Sequence, residues 1–269
     1  MSDINLSGAT RTNLLALQRT TDLISRTQER LSTGLKVNSA IDDAISFFQA
    51  RSLSDRAGDL SVLKDSIDQG ISSVETAVNG IEAISDIVEQ MKGIALSAKS
   101  DADTENRSKS AIQFNDLRSQ LDNLANDASY KGTNLVKGSP ANLKVTFSED
   151  GSSTLTISGV ASDSSGLSIA AAAGNWSTDA NVDAAVNDLD SALSTLRSTA
   201  STMGSNASVL TLRLDFTKNL INSLEEGSAK LVNADLNQES ANLLTLQTRQ
   251  QLGTIGLSIA QQSEQSILR

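Results

Sequence analysis

Between Val182 and Leu224 the chain repeats one pattern without a break. Val182, Val186, Leu189, Leu193, Leu196, Ala200, Met203, Ala207, Leu210, Leu214, Thr217, Ile221 and Leu224 follow one another at alternating steps of four and three. Such a step keeps one narrow stripe on one side of a helix and specifies helix-on-helix packing with a left-handed supercoil. A stripe of this length belongs to a rod. It excludes a doubly wound sheet or a barrel as the organising architecture.

A second rod is expected from about 42 to 99, where Leu60, Leu63, Ile67, Ile71, Val74, Val78, Ile81, Ile84, Val88, Met91 and Ala95 recur every three or four residues. Gly58, Gly70, Gly80 and Gly93 fall inside it. Each disfavours an isolated helix by about 1 kcal/mol relative to Ala, so either packing along the rod offsets them or they admit a neighbouring backbone at close range. Ser100 to Thr104 ends this rod and caps a shorter helix with Phe114, Leu117, Leu121, Leu124 and Ala128 on one face. Leu143 to Phe147 and Leu155 to Ile157 alternate like strands around the turn Glu149-Asp150-Gly151-Ser152, and such a hairpin must lie against the helices to be stable. Ala161 to Asn175, rich in Ser, Gly and Ala, reads as an exposed turn-around. Ser177 or Thr178 caps the returning rod, which is read as ending near Gly227.

The two ends of the chain carry thinner stripes. Leu14, Leu17, Ile24, Leu31 and Leu35 keep a three-and-four spacing in which Thr21 and Gln28 fill the polar places. Past Gly227 the closing helix carries Leu231, Leu236, Leu243, Leu246, Leu252, Ile255 and Ile259. Neither stripe is broad enough to make its own core, so the ends are expected to pair with one another. Between the first stripe and the rod, Gly34 and the segment from Asn38 to Asp43 read as a joint.

Aromatic residues make up only 3% of the 269 residues, and there is a single Pro, which suits long striped helices better than a thick globule. A formal charge of −10 argues against nucleic acid or an anionic membrane as a partner. Without Cys or His the chain has no disulfide, no thiolate nucleophile, no imidazole base and no Cys/His metal site. Neither a P-loop nor a dinucleotide fingerprint is present. Asp42-Asp43 and Asp101/Asp103 are read as helix caps rather than as catalytic or calcium-binding groups. No catalytic, cofactor-binding or metal-ligating residues are therefore expected, and the chain is not read as an enzyme. The opening Met1-Ser2-Asp3-Ile4-Asn5-Leu6 lacks the pattern of a signal peptide, and no apolar run is long enough to span a bilayer. Three N-x-S triplets, at Asn106, Asn175 and Asn206, are discounted as glycan sites for want of a leader.

Asn13-Leu-Leu-Ala-Leu-Gln, Arg30-Leu-Ser-Thr-Gly-Leu-Lys-Val-Asn-Ser-Ala-Ile-Asp-Asp-Ala44, Ala234-Asp-Leu-Asn, Asn242-Leu-Leu-Thr-Leu-Gln-Thr-Arg-Gln-Gln-Leu252 and Ser258-Ile-Ala-Gln-Gln-Ser-Glu-Gln-Ser-Ile-Leu268 resemble bacterial flagellin, in the short alphaproteobacterial form. The resemblance covers all but Pro140 to Trp176. It implies a mainly α fold of long antiparallel, coiled-coil-like rods with one small β-hairpin and paired termini. It places residues 1–40 and 229–269 in an inner helical pair, with a spoke beginning near 34–44 that includes Asn38, Ala40, Asp42 and Asp43. Residues 41–142 and 176–228 would form an outer rod bundle, and 143–175 a hairpin and short variable exposed loop.

By the same resemblance the chain would be a filament subunit for motility, secreted unfolded by type III export without a cleaved signal peptide and polymerising with itself into an open helical filament. Its other partners would be an export chaperone around Leu236 to Leu268 and the hook-filament junction and cap proteins. A junction protein or another axial protein stays open as the alternative. At Val88 to Ala98, which includes Glu89 and is the stretch that animal Toll-like receptors recognise in many flagellins, Gln90 and Gly93 stand where strong agonists carry Arg and Glu, while Lys92 keeps its charge. This departure is similar to alphaproteobacterial flagellins that escape detection and implies weak or no receptor activation.

Overall fold

The computed structural model describes residues 8–267, so the leader reading at Met1–Leu6 and the last residues of the closing motif, Leu268 and Arg269, lie outside the described residues. The element order is α1 (Gly8–Thr33), α2 (Ala44–Ser100), α3 (Thr104–Asp127), β1 (Leu143–Thr146), β2 (Thr154–Ile157), a 3-10 turn (Ala173–Trp176), α4 (Asp179–Val232) and α5 (Leu236–Ile267). The chain divides into two compact units, one of residues 56–222 and one of residues 1–55 with 223–269, so α2 and α4 each contribute to both.

The central unit, 56–222, has one continuous apolar core. On α2 it runs from Ile67 to Ala98, on α3 from Ala111 to Ala125, and on α4 from Val182 to Leu214, and the stripes read in the sequence are its lining. The packing is close enough to need two of the four glycines in α2. A Cβ at Gly70 would lie 2.8 Å from Val145 Cγ2 and one at Gly80 2.8 Å from the Cβ of Ala128, whereas Gly58 and Gly93 face open space. Close approach therefore accounts for Gly70 and Gly80 and not for the other two.

β1 and β2 pair antiparallel, Leu143 opposite Ile157 and Thr146 opposite Thr154. Val145 and Ile157 are buried and join the helical core, which gives the two-stranded hairpin the apolar partner it lacks alone. At its tip Gly151 adopts a positive φ of 72°, and the Asp150 carboxylate accepts from the Ser148 hydroxyl and from the Ser152 backbone and hydroxyl. Those bonds hold Asp150 down to a pKa of about 2. Arg56 on α2 donates to Glu149 at 2.7 Å and fixes the tip to the rod.

The stretch 161–175, expected as an exposed turn-around, is instead folded onto the bundle. Ser162, Ser164, Leu167 and Ile169 are buried. Asp122 on α3 accepts from the Ser164 backbone (2.7 Å) and hydroxyl, Arg118 donates to the Ile169 carbonyl (2.9 Å), and Asn115 accepts from the Ala172 backbone (3.0 Å). Small polar residues supply loop composition, but here they let the backbone lie flat on α3 with its polar groups satisfied. The preceding loop is organised by Asn134. Its amide donates to Ala125 and Asn126 carbonyls at the end of α3, and its oxygen accepts from Val136 and Lys137.

Trp176 closes the segment, fully buried with its ring 4.9 Å from that of Phe114. At the other end of the bundle the buried Arg107 donates to the carbonyls of Ala98 and Asp101 and pairs with Asp179, joining the end of α2 to the start of α4. Asp101 and Asp103 act as caps: Asp103 accepts from Glu105 N–H and Asp101 from Asp103 N–H.

Candidate assembly site in the terminal unit

The other unit is built on α1 and α5, which run antiparallel. At one end a Cβ on Gly253 would sit 3.1 Å from Leu17 Cδ1, and at the other Arg30 donates to Glu239 at 3.1 Å. The inward positions of α5 are Glu239, Leu243, Leu246, Gln250, Gly253, Leu257 and Ala260, a regular step of four and three. On α1 they are Thr10, Leu17, Thr20, Ile24, Thr27 and Leu31. This seam is only part apolar. Thr20 and Thr27 hold the places expected for Thr21 and Gln28, which are exposed. Thr20 returns its hydroxyl to the Ala16 carbonyl, so its methyl remains for packing.

Of the residues expected to pack the terminal helices, Leu17, Ile24, Leu31, Leu243 and Leu246 line this seam, and Leu35 is held at its end by a backbone bridge to Asn233. Leu14 is at its exposed margin. Leu236, Leu252, Ile255 and Ile259 lie exposed on α5, together with Leu244. These four lie outside the seam positions of α5. Glu239, Gln250 and Gly253 were missed because a search by hydropathy passes over polar and small residues, although their spacing is as regular as that of the leucines.

The helix boundary read at Gly227 is also corrected. α4 continues through Gly227, where a Cβ would meet Leu53 at 3.4 Å, so Leu231 belongs to α4. Ser228 lies one residue on, bonded to the Ala50 carbonyl (3.0 Å) and the Ser54 hydroxyl (2.8 Å) of α2. The break falls at Asn233 to Asp235, where Asp235 caps α5 by accepting from Asn237 and Gln238.

Both chain segments break at the same level and are stitched together there. Gly34 (φ 73°) closes α1 on the Arg30 carbonyl, Lys36 N–H donates to the Val232 carbonyl at 2.7 Å, and Ala234 N–H donates to the Gly34 carbonyl at 2.9 Å. Val37 is buried beneath this stitch. Of the expected spoke residues, Asn38 reaches Glu29 and Ala40 is half-buried. Asp42 Oδ2 accepts from the backbone of Asn38 and Ser39 and from the Ser39 hydroxyl. Asp43 accepts from Ile45 and Ser46 N–H and the Ser46 hydroxyl, capping α2.

Both carboxylates are held below their ordinary pKa. For Asp42 the leading cause is the Ser39 backbone, followed by the Ser39 hydroxyl, with Arg26 adding a smaller pull; for Asp43 the Ser46 hydroxyl leads. Asp43 is thus a helix cap, whereas Asp42 ties the joint loop; no group of three or more His, Cys, Asp or Glu that could hold a metal ion occurs among the described residues.

Beside the seam, α1 and α5 line a groove of about 290 Å³ with Leu23, Arg26, Thr27, Arg30, Glu239, Leu246 and Arg249. In the central unit, Glu89, Gln90 and Gly93 of the receptor-like stretch are exposed on α2, while Lys92 is paired with Asp190 of α4. No helix among the described residues is long and apolar enough to cross a membrane.

The model of the bacterial flagellin N-terminal helical region matches residues 4–141, and that of the C-terminal helical region matches residues 186–269. Over its whole length the chain is 33% identical to flagellin FljM of Caulobacter vibrioides, covering 98% of that protein. It is 31% identical to a flagellin of Brucella melitensis, again covering 98%. The crystal structure of Bacillus cereus flagellin superposes with a TM-score of 0.50 at 17% identity, over 56% of this chain and 88% of that one, a likeness of fold.

Proposed function

Because this chain belongs to the bacterial flagellin family and is thereby a structural subunit of the flagellar filament, we propose that its terminal unit is left incomplete by the fold and is finished by neighbouring copies as the filament grows. The observation that carries this reading is the exposed apolar row Leu244, Leu252, Ile255 and Ile259 on α5, lying outside a seam that is itself half polar. A helix pair with so little burial offsets little of the entropy of ordering it, so neighbours that cover the row couple folding to polymerisation. Subunits related by a rotation and a translation add without closing a ring, which gives an open helical filament.

On this reading residues 1–40 and 229–269 are the inner pair, the joint near 34–44 is the spoke, and the helical bundle lies outside them. The chain is exported unfolded through the flagellum's own channel, with a chaperone covering the C-terminal helix and the junction and cap proteins meeting it at the filament ends. It has no catalytic role. Gln90 and Gly93, exposed on α2, support weak engagement of Toll-like receptors.

The test is seeded growth. Purified monomer added to short filament seeds should extend them, while Leu17→Asp and Leu243→Asp should leave the Trp176 fluorescence of the central unit unchanged and yield no filaments by electron microscopy. Filaments of normal length from either variant would refute the terminal role.

A further inference from the structure

The central unit holds a polar hollow that its own packing does not use. It is a cavity of about 350 Å³ walled by one face of α2, the loop that follows α3, and strand β1, all within residues 56–222. This unit carries more Asp and Glu than Lys and Arg, yet no carboxylate lines the cavity, whereas Lys131 and Lys144 both do. Neither lysine makes an ion pair among the described residues, in contrast to Lys92 and Lys99 on α2, which are paired with Asp190 and Asp183.

The walls are set by the fold. Tyr130 and Thr133 exchange two backbone bonds of 2.9 Å around Lys131 (φ 46°) and Gly132 (φ 82°), a two-residue turn of the kind that needs positive φ at both central places. That turn holds the Lys131 ammonium 5.9 Å from the centre of the Tyr130 ring. On α2, Ser66 and Gln69 stand three residues apart on one face. The third wall is a free sheet edge. Phe147 N–H donates to the Ser153 carbonyl, so in this register Val145 and Leu143 turn their backbone groups to β2, while Lys144 turns its own away from β2.

The side chains of Ser66, Gln69, Tyr130 and Thr133 make no hydrogen bond among the described residues. Two ammonium groups suit a carboxylate or phosphate. A carboxamide and three hydroxyls, each able to donate and to accept, suit ligand hydroxyls. The volume is at the small end of ligand sites, and the polar lining selects a ligand as polar as itself. We propose that this hollow binds a sugar acid, a monosaccharide-sized ring with hydroxyls and one carboxylate. The carboxylate lies on Lys131 and Lys144, and the ring hydroxyls on Ser66, Gln69, Tyr130 and Thr133. The site is complete within one chain, so binding does not depend on assembly.

Tyr130 is the chain's only tyrosine, so its ring resonance reads the hollow directly. Full-length monomer labelled in the tyrosine ring is titrated with sodium galacturonate, and a saturable shift of that resonance is the expected result. Glucose, which has the hydroxyls without the charge, and inorganic phosphate, which has the charge without the ring, should each bind about tenfold more weakly or worse. No saturable shift, or equal binding of glucose or phosphate, would overturn the proposal. Trigalacturonate distinguishes the source: tighter binding than the monosaccharide marks a polysaccharide residue as the ligand, and equal binding a free acid.

Lys131→Gln with Lys144→Gln should weaken galacturonate binding by about tenfold or more, the loss expected for two charge-assisted bonds. Circular dichroism and Trp176 fluorescence should stay unchanged, since both lysines are exposed. Lys131→Arg with Lys144→Arg keeps the charges and should restore binding, while Gln69→Glu, which adds a carboxylate to the α2 wall, should abolish it. Lys109→Gln, at an exposed lysine of α3 paired with Glu105, should change nothing. Full binding by the double Gln variant, or an equal loss from Lys109→Gln, would overturn the assignment. If wild-type monomer binds galacturonate but fails to extend seeds, only the filament reading has failed; if it extends seeds without binding, only this site has.

Discussion

The two units share the same helices yet solve opposite problems. The central unit buries or half-buries every position of its stripes, with Phe114, Trp176, Ile67, Ile84, Met91, Leu121 and Leu196 almost completely covered. The terminal unit buries few apolar side chains, chiefly Ile24, Val37, Ala50 and Leu224, and fills its seam with threonines, a glutamine and an ion pair. Charge divides the same way. The terminal unit holds nine Lys and Arg against eleven Asp and Glu, whereas the central unit holds thirteen against twenty-one. Repulsion between copies is weaker for a nearly neutral surface than for an acidic one. One part of the chain is finished by its own sequence; the other, on the proposed reading, is completed by neighbours.

The sharpest way to break that comparison is to remove one side chain from each core. Phe114→Ala should destabilise the central unit by about 3–5 kcal/mol, since the ring is fully buried against Trp176. Urea unfolding followed by Trp176 fluorescence reads this unit directly, because Trp176 is the only tryptophan. Ile24→Ala, in the terminal seam, should shift the same transition by less than about 0.5 kcal/mol, as expected for a residue outside the unit that Trp176 reports. Comparable shifts from both would mean that the two units unfold as one and that their difference is only one of composition.

A smaller effect sharpens the account of the central packing. Gly80→Ala places a methyl 2.8 Å from Ala128 Cβ and should cost about 1–3 kcal/mol. Gly93→Ala, on the same helix but facing open space, should instead stabilise it by up to about 1 kcal/mol. Opposite signs in thermal melts of the two variants are expected. Equal stabilisation by both would show that the helices can separate to admit the methyl.

The central unit was legible because its signal is hydropathy. The alternation from Val182 to Leu224, the α2 stripe, the α3 face and the hairpin all state themselves in Leu, Ile, Val and Phe, and burial follows them residue by residue. The fold of 161–175 was not legible, since its attachment runs through backbone groups meeting Asp122, Arg118 and Asn115 on α3, partners distant in sequence with no periodic mark.

The terminal seam was half legible. Leu17, Ile24, Leu31, Leu243 and Leu246 stand where the spacing puts them. Thr20, Thr27, Glu239 and Gly253 complete the register, but apolar counting cannot see them; Leu252, Ile255 and Ile259, expected at subunit or terminal-helix packing, lie exposed outside this seam. Where a helix shows an apolar residue on both sides, sequence alone does not say which side faces its own chain and which faces the next copy. Family membership was legible from the end motifs alone, because those motifs are longer than any one stripe.

The least effect separates the two units by acid. Asp150 at the hairpin tip has its pKa lowered to about 2 from the usual 3.8, and Asp42 and Asp43 at the joint are lowered in the same direction. A carboxylate whose folded pKa is depressed contributes stability that is fully present above its unfolded pKa and is lost as pH falls through the folded value. For Asp150 that window runs from about 3.8 down to about 2. All three groups are solvent-facing, so salt screens them and the change is small. Carboxyl carbon chemical shifts should give Asp150 a midpoint near 2, and Asp150→Asn should flatten the acid limb of stability monitored at Trp176 in the central unit. The joint carboxylates should leave that limb untouched, because Asp42 ties the joint loop and Asp43 caps the first residues of α2, all within the terminal unit. An Asp42→Asn variant that altered the Trp176 acid limb as much as Asp150→Asn would place the joint within the cooperative unit of the bundle, and the boundary between a finished and an unfinished half would have to move.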